Sequence, residues 1–588
     1  MVGYLSGQDS RLADQYYNSG EYEQAASVYL TLFERNSRSY YFFDKYINCL
    51  LALDDFEGAT KAIEKEIDKD PTQMQLYVAY GNILERQYKP HEADQQYIKA
   101  IENIPPDVSV INHLGNAFTR LTKYEMAIEA FQKGSELLGD DYLFAYNLAG
   151  LYKRMGDTPN MIKYYIKATS RNPSQIDRYI TIFQRNLTEE EELDELRSQL
   201  YPLIQEEPDN PVYPELLEWV FIEKKDYYRA LRQARSLDRK YNEGGARVMK
   251  IGNIAYYDGD YDTAIKAFEY VTQDKGLNNS LYVDAKRSIL KSKRNKVTMD
   301  YDYDLSDLDT LVVEYEKFID EFGINPQTEH LVKEYADFLA VYKNDLEKAI
   351  KVLEELVAIS SINRFVKANS KIALADYYLM KSEIWEATLL YSQVEKDFKE
   401  EYLGEVARFK NAKLSYYAGN FEWAQAQFDI LKAATSRLIA NDAIDLSVFI
   451  MDNMGLDTTD VPLKMFTTAE LYTVQNRFDE AFALLDSITD LFPEHSLKDD
   501  ILYQKANLHY KLKDIDKAKS LYEEVYQNYA DEIRADNAMM KVAEIYELHY
   551  DDTEKAMELY EKLFIDFSDS TFAVEARKRF RRLRGDNI

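Results

Sequence analysis

A small residue recurs with constant spacing along the first half of this chain. From Ala25 the spacing is 34 residues for three steps, and the fourth step falls on Met161. After two further steps and one extra residue the series resumes at Ala230. The members of the series are Ala25, Ala59, Ala93, Ala127, Met161, Ala230 and Ala264. A fixed period of roughly 20–50 residues indicates stacked structural repeats, so we do not expect one globular core.

Other positions of each unit repeat in phase with this anchor residue. A large side chain stands four residues after the anchor, at Tyr29, Ile63, Tyr97, Phe131, Tyr165 and Phe268. A small residue stands twelve residues before it, at Ala13, Gly81, Gly115, Ala149 and Gly252. Apolar residues at i, i+3, i+4 and i+7 predict two amphipathic helices per unit. Gly20, Gly156 and Gly259 stand where the first helix must end, a position that favours a left-handed backbone.

Three stretches carry the pattern most clearly: YGNILERQYKPHEADQQYIKAIENIP, LGNAFTRLTKYEMAIEAFQKG and IGNIAYYDGDYDTAIKAFEYV. They resemble the tetratricopeptide repeat (TPR) family, whose unit is a helix–turn–helix of about 34 residues. The resemblance implies an all-α fold, a right-handed superhelical α-solenoid of stacked units. We expect about 13–14 such units in the chain, arranged in two halves.

The anchor series continues in the second half with a longer step. Its members are Ala349, Ala387, Ala424, Ala481, Ala518 and Ala556. Most steps are 37 or 38 residues, which adds about one helical turn to each unit. The step of 57 residues after Ala424 predicts an extra helix near residues 438–454, followed by a loop that contains GLDTTDVP. Residues 490–580 resemble, in style, the long-helix TPR units of bacterial cell-envelope proteins.

The change of step divides the chain into three parts. We predict an N-terminal TPR array at residues 8–294 and a C-terminal TPR array at residues 308–588. Between them we predict an acidic inter-helix loop or hinge at residues 295–307, inside the stretch TMDYDYDLSDLDTL.

This acidic stretch has two interpretations. Asp300, Asp302 and the residues that follow resemble the start of a calcium loop, but Leu305 and Leu311 stand where glycine and glutamate are required. The simpler interpretation is an elongated turn in which Asp307 caps a helix that starts one residue later.

Charge and composition exclude several classes of function. The formal net charge is −31, which repels nucleic acid and anionic lipid, so we expect no nucleic-acid partner. No apolar run of about 18 residues is present to span a membrane. The six histidines show no metal-ligand spacing on one helix, and no phosphate-binding loop or nucleophile elbow occurs. Cys49, beside Leu50 and Leu51, is expected to be a buried and inert thiol. We therefore predict a non-enzyme without cofactor, metal or catalytic residues.

In TPR proteins the first helix of each unit lines a concave groove, and the residue after the small position points into it. This position holds Asn48, Asn82, Asn116 and Asn253, while Asn112 and Asn147 lie nearby. Asparagine offers a donor and an acceptor to an extended peptide backbone, so these residues are candidate partner contacts, together with Tyr17 and Tyr257 from tyrosine pairs. The alternative is that the asparagines only solvate the groove and that the rings pack between helices. The positions around Asn112–Asn147 lack the lysines and arginines of a chaperone-binding clamp.

The C-terminus is basic although the protein is acidic. Arg577, Arg579, Arg581 and Arg582 are candidate contacts for an acidic partner or for lipid headgroups. The alternative is that they form the solvated face of a capping helix.

These features predict a protein–protein interaction scaffold that binds partner proteins or extended peptides in its concave groove. The start VGYLSGQD resembles the end of a signal peptide with a mature start at Gln8. We therefore expect a bacterial periplasmic or outer-membrane-associated protein of an envelope assembly or secretion complex, with a cytoplasmic location as the alternative. Peripheral membrane association would then come through partners or a lipid anchor before residue 1. The alternative function is a regulator that changes shape when a peptide binds.

Overall fold

The computed structural model describes residues 2–36, 40–299, 304–434, 436–454 and 459–586. Over these ranges the protein consists of α-helices with short connections and contains no β-strand. The chain divides into two compact units, Met1–Ala285 and Lys286–Ile588. The predicted all-α fold, a solenoid of repeats, is confirmed.

The first unit is built from pairs of short helices that pack against each other in chain order. Its helices are α1 (Val2–Asn18), α2 (Tyr22–Arg35), α3 (Tyr40–Ala52), α4 (Phe56–Lys69), α5 (Met74–Arg86), α6 (Pro90–Glu102), α7 (Val108–Arg120), α8 (Tyr124–Leu138), α9 (Ala145–Met155), α10 (Thr158–Arg171), α11 (Ile176–Asn186), α12 (Glu190–Glu206), α13 (Val212–Glu223), α14 (Tyr227–Tyr241), α15 (Ala246–Tyr257) and α16 (Tyr261–Tyr270). A 3₁₀ turn at Pro173–Gln175 precedes α11, and a π-helical turn at Val271–Lys275 extends α16.

Helix α17 (Tyr282–Thr298) begins in the first unit, and the second unit continues with fifteen further helices. These are α18 (Leu305–Phe322), α19 (Glu329–Val341), α20 (Leu346–Ala358), α21 (Arg364–Met380), α22 (Ile384–Asp397), α23 (Tyr402–Tyr417), α24 (Phe421–Leu431), α25 (Arg437–Met454), α26 (Val461–Val474), α27 (Phe478–Leu491), α28 (Lys498–Lys511), α29 (Ile515–Asn528), α30 (Ala535–Leu548), α31 (Thr553–Asp566) and α32 (Ala573–Leu583).

The anchor residues lie in the core of each repeat. Every anchor alanine from Ala25 to Ala556 has no exposed surface. The small residue on the first helix then lets a ring of the second helix approach: a Cβ added to Gly115 would lie 2.3 Å from Cζ of Phe131. Where the second helix carries a ring at this position, a small residue on the first helix leaves room for it.

The turn inside most repeats has one residue with a positive φ. Gly20, Gly156 and Gly259, predicted for this role, have φ values of 79°, 74° and 88°. The same position in other repeats is held by non-glycine residues, namely Asp54, Tyr88, Thr122, Lys225, Asn344, Ser382, Asn476, Lys513 and Asp551. The fold imposes the left-handed conformation on these residues, since the first helix must stop there for the second to pack back on it.

An aspartate just after this turn commonly caps the second helix. Asp55, Asp157, Asp226 and Asp260 accept hydrogen bonds from backbone amides in the first turns of α4, α10, α14 and α16. The capping role satisfies amides that have no partner inside the helix. Part of the acidic composition thus serves the architecture.

The acidic stretch differs from its sequence-based interpretation. Helix α18 begins at Leu305, and its cap is Asp304, whose Oδ1 accepts from the amide of Ser306 at 2.9 Å. The prediction that Asp307 is the cap was wrong, because Asp307 already lies in the first turn of the helix. Residues 300–303, with Asp300 and Asp302, lie outside the described residues, and the boundary at residues 295–307 stays a prediction.

The long step after Ala424 contains α25 between the α23–α24 pair and the α26–α27 pair. Helix α24 packs against α25. The first four residues of the GLDTTDVP loop, 455–458, lie outside the described residues.

Candidate functional site

The first unit contains a polar cavity on the first helices of three successive repeats. Helices α3, α5 and α7 line it, and it has a volume of about 270 Å³. The lining residues are Tyr40, Asp44, Ile47, Asn48, Gln75, Val78, Ala79, Asn82, Arg86, Ala117, Arg120 and Leu121. We call this the groove cavity. It arises because first helices of consecutive repeats stand side by side, so residues spaced by one repeat come together.

Two of the predicted asparagines line this cavity. Asn48 and Asn82 occupy the same position of consecutive repeats, on α3 and α5. The amide nitrogen of Asn48 donates a long hydrogen bond of 3.4 Å to a carboxylate oxygen of Asp44. The two side chains bring amide donors and acceptors to the cavity, the groups that bind a peptide backbone.

Gln75 lines the same cavity with a buried side chain. Only 4% of its surface is exposed, and its side-chain oxygen has no hydrogen-bond partner among the described residues. Its amide nitrogen donates to the side-chain oxygen of Gln73 at 3.4 Å, and its backbone carbonyl accepts from the Tyr40 hydroxyl at 3.4 Å. The side-chain oxygen has less than 1 Å² of accessible surface, so the amide must turn before a ligand in the cavity can bond to it.

Two arginines give the cavity a positive side. Arg86 and Arg120 are exposed and form no ion pair with the residues that the structure describes, although carboxylates greatly outnumber cations in the chain. The Arg120 guanidinium lies over the Tyr40 ring, 5.9 Å from its centre. Sequence reasoning missed both arginines, although they recur with Arg154 at 34-residue spacing in the last turns of α5, α7 and α9. That position also complements the helix dipole, which is a structural reason for a cation there.

The titratable groups of the cavity are perturbed by burial. Burial raises the pKa of Asp44, against the lowering effects of Arg120 and Lys45. Burial, and then the charge of Asp44, raises the pKa of the Tyr40 hydroxyl, so this hydroxyl stays a donor at neutral pH. The cavity therefore combines amides, a hydroxyl donor, a carboxyl group and cationic groups, all of which can form hydrogen bonds with a ligand.

The remaining predicted asparagines do not line the groove cavity. Asn112 donates to the carbonyl of Val108 at 2.9 Å and so bonds to its own helix. Asn116 and Asn253 are exposed, and Asn147 is half-buried. A partner that contacts them would have to extend beyond the cavity.

The two predicted tyrosines have different surroundings. Tyr17 is half-buried, with its ring edge-on to Tyr22 at 5.6 Å and with Lys45 Nζ 4.5 Å from its centre. Tyr257 is 86% exposed beside Tyr256, so its ring is available to a partner.

Most of the C-terminal arginines form ion pairs inside the protein. Arg579 contacts Glu544 at 3.2 Å, Glu547 at 3.4 Å and Glu575 at 3.3 Å. Arg582 pairs with Glu547, Arg581 pairs with Asp586 at 3.1 Å, and Arg577 lies over the Phe564 ring. Their predicted role toward an acidic partner stays a prediction. In the structure Arg579 and Arg582 tie α32 to the glutamates of α30.

Cys49 is fully buried, and burial raises its pKa to about 11. No group of three or more His, Cys, Asp or Glu side chains there is arranged to hold a metal ion. No helix in the described ranges is long and apolar enough to cross a membrane.

Comparison with known proteins found short matches to one family. Residues 144–175, in the first unit, and residues 500–531, in the second, match models described as tetratricopeptide repeat. No curated protein sequence matches the chain.

Solved structures match 58–99% of this chain at 11–12% sequence identity. Naa15/Naa10 bound to HypK-THB is 12% identical, with 98% of this chain and 96% of that chain covered and a TM-score of 0.24. The APC/C hetero-tetramer Cut9-Hcn1 is 11% identical, with 99% and 98% covered and a TM-score of 0.20. A tetratricopeptide repeat protein from Parabacteroides merdae is 12% identical, with 58% and 100% covered and a TM-score of 0.21. TM-scores this low do not establish a shared function.

Proposed function

We propose, on the premise that this chain is a tetratricopeptide repeat protein and a protein-interaction scaffold, that it binds extended segments of partner proteins in the groove cavity. The observation that carries the proposal is the meeting of Asn48, Asn82 and Gln75 in the lining of one cavity. Amide side chains can hold a peptide backbone on both its donors and its acceptors.

The charges of the cavity indicate the kind of segment. Arg86 and Arg120 bring two cations to the cavity, whose lining includes one carboxyl group, that of Asp44. A segment with an acidic residue beside the asparagine contacts would form ion pairs with these arginines, because guanidinium groups bind carboxylates with paired hydrogen bonds. Binding is passive and requires no catalytic group.

We also propose that the scaffold works in a bacterial envelope assembly. The support is the resemblance in style of residues 490–580 to long-helix repeats of envelope proteins. Fractionation of the source cells with the full-length protein detected by antibody tests this location. Recovery with cytoplasmic proteins would contradict it.

Affinity capture with matched variants tests the groove. The full chain, the double variant Asn48→Ala/Asn82→Ala and the control Asn112→Ala/Asn253→Ala are each used to capture proteins from the source-cell extract. We expect the wild type and the control to capture the same partners and the groove variant to lose them. Equal capture by all three would place the interface elsewhere and contradict the proposal.

A further inference from the structure

One repeat of the first unit has an acidic side chain at a position that is small in other repeats. Glu218, on α13, stands twelve residues before the anchor Ala230, where five other repeats of this unit have glycine or alanine. Four residues after the anchor those five repeats carry an aromatic ring, but this repeat carries Ala234. Only 7% of Glu218 is exposed, so the exchange of large and small residues places a carboxyl group in the core of the repeat.

The two oxygens of the Glu218 carboxyl group have different surroundings. Oε1 accepts a long hydrogen bond of 3.5 Å from Nη1 of Arg247, on α15. Oε2 has less than 1 Å² of accessible surface and no hydrogen-bond partner among the described residues. A buried carboxylate needs close partners on both oxygens to offset its lost hydration, so Glu218 is poorly stabilised as an anion.

Arg247 is shared with two other carboxyl groups that lie closer to it. Its Nε and Nη2 each donate to Glu243 at 2.8 Å, and Nη2 also donates to Glu215 at 3.1 Å. We call Glu215, Glu218, Glu243 and Arg247 the Glu218 cluster. One guanidinium therefore faces three carboxyl groups, and a proton on Glu218 reduces the excess of negative charge.

The charged groups on the helices around the cluster are exposed or already paired. Lys250, on α15, is exposed and lowers the pKa of Glu218 less than Arg247 does. Asp238 of α14 pairs with Lys275 at 2.6 Å, and Asp194 of α12 pairs with Lys224 at 2.8 Å. Burial raises the pKa of Glu218 from its ordinary value of 4.5 to about 7, so this carboxyl group gains or loses its proton near neutral pH.

We propose that the Glu218 cluster is a pH-sensitive switch in the joint between the repeats α13–α14 and α15–α16. Glu215 and Glu218 belong to the first helix of one repeat and Arg247 to the first helix of the next, so the cluster spans this joint. With a proton on Glu218 the two repeats stay packed. Loss of the proton places a charge in the core, and the local opening that hydrates this charge becomes easier. The cluster is separate from the groove cavity, which α3, α5 and α7 line.

Hydrogen exchange of the full chain measures this opening. The protection factor of an amide compares its exchange rate with that of an unfolded peptide at the same pH, so the direct effect of pH on exchange cancels. A carboxyl group with a pKa of about 7 in the closed joint and 4.5 in the open joint makes opening about tenfold more favourable at pH 8 than at pH 6. We therefore expect the protection factors in α13 and α15 of the wild type to fall about tenfold from pH 6 to pH 8, whereas those in α8 stay constant.

Glu218→Gln keeps the shape of the side chain and removes its titration, and Glu355→Gln, at an exposed position of α20, is the matched control. We expect Glu218→Gln to keep its protection in α13 and α15 at pH 8 and the control to lose it as the wild type does. The same loss in Glu218→Gln as in the wild type overturns the proposal. The wild type alone decides if that variant does not fold, because constant protection in α13 and α15, or an equal loss in α8, also overturns the proposal.

Discussion

Two glycines on the first helices of consecutive repeats, each replaced by alanine, test the packing that defines the repeat. Gly115 lies inside α7 at the small position, and Gly150 lies inside α9 one residue past that position, toward the groove. A Cβ on Gly115 would meet Cζ of Phe131 at 2.3 Å and its Cε2 at 2.4 Å, whereas a Cβ on Gly150 meets no atom within 4 Å. Phe131 is 1% exposed and packs against Phe144 at 5.3 Å, so its ring cannot move away freely.

The two substitutions share one energy term and differ in the other. Each gains about 0.5–1 kcal/mol because alanine favours the helix over glycine. Gly115→Ala also overpacks the core, which typically costs about 1–3 kcal/mol. The free energy of unfolding should therefore rise by about 0.5–1 kcal/mol in Gly150→Ala and fall in Gly115→Ala, with a gap of about 1–3 kcal/mol between them.

Urea-induced unfolding of the full chain, followed by circular dichroism, measures the two shifts. The free energy of the transition in which the first unit unfolds is compared among the wild type and the two variants. If Gly115→Ala stabilises the protein as much as Gly150→Ala does, the small position is not a close-packing position, and the argument from the repeat pattern is refuted.

Three further predictions concern titration, reactivity and the C-terminal ion pairs. Burial raises the pKa of Glu218 to about 7, so the folded protein keeps a proton on this carboxyl group at pH values where the unfolded chain has released it. The free energy of unfolding of the wild type should therefore fall as the pH rises from about 5 to 8. Over that range Glu218→Gln should gain about 1–3 kcal/mol of stability relative to the wild type, as urea unfolding at each pH would measure. An unchanged difference between the two proteins would contradict this. Cys49 should react with a maleimide only after unfolding, as mass spectrometry would record, and modification of the native protein would show that the thiol is accessible. Arg579→Leu should lower the free energy of unfolding of the second unit by about 1–3 kcal/mol, because Glu547, with 8% of its side chain exposed, loses a charged partner. Arg577→Leu, at an exposed position, is the control. If both variants lose the same stability, the ion pair of Arg579 is not the cause.

Periodicity predicts the repeated parts of the fold because residues of the same size pack at the same positions of each repeat. The anchor alanines and the ring positions follow from residue size alone, and the structure buries them. The capping glycines follow from their conformational freedom. Tyr88 and Thr122 adopt the same positive φ without any residue preference for it, so only the phase of the repeat could have revealed them.

Features that depend on contacts between repeats were harder to predict. Asp304 and Asp307 are both suitable caps, and only the packing of α18 decides that the helix begins after Asp304. The asparagine position was found from the repeat, but the arginines one turn later were overlooked, although Arg86 and Arg120 face the same cavity. The C-terminal arginines look free in sequence because the glutamates that bind Arg579 come from an earlier helix.

Site-specific photo-crosslinking shows whether partners bind in the groove cavity. A photoreactive amino acid is introduced at Ala79, which lines the cavity without making a side-chain hydrogen bond, or at Glu129, which is exposed on the second helix α8. We expect illumination in source cells to join a partner protein to the Ala79 variant, and Asn48→Ala/Asn82→Ala to abolish this product. Crosslinking from Glu129 with none from Ala79 would show that the partner lies outside the cavity and that the proposed binding site is wrong.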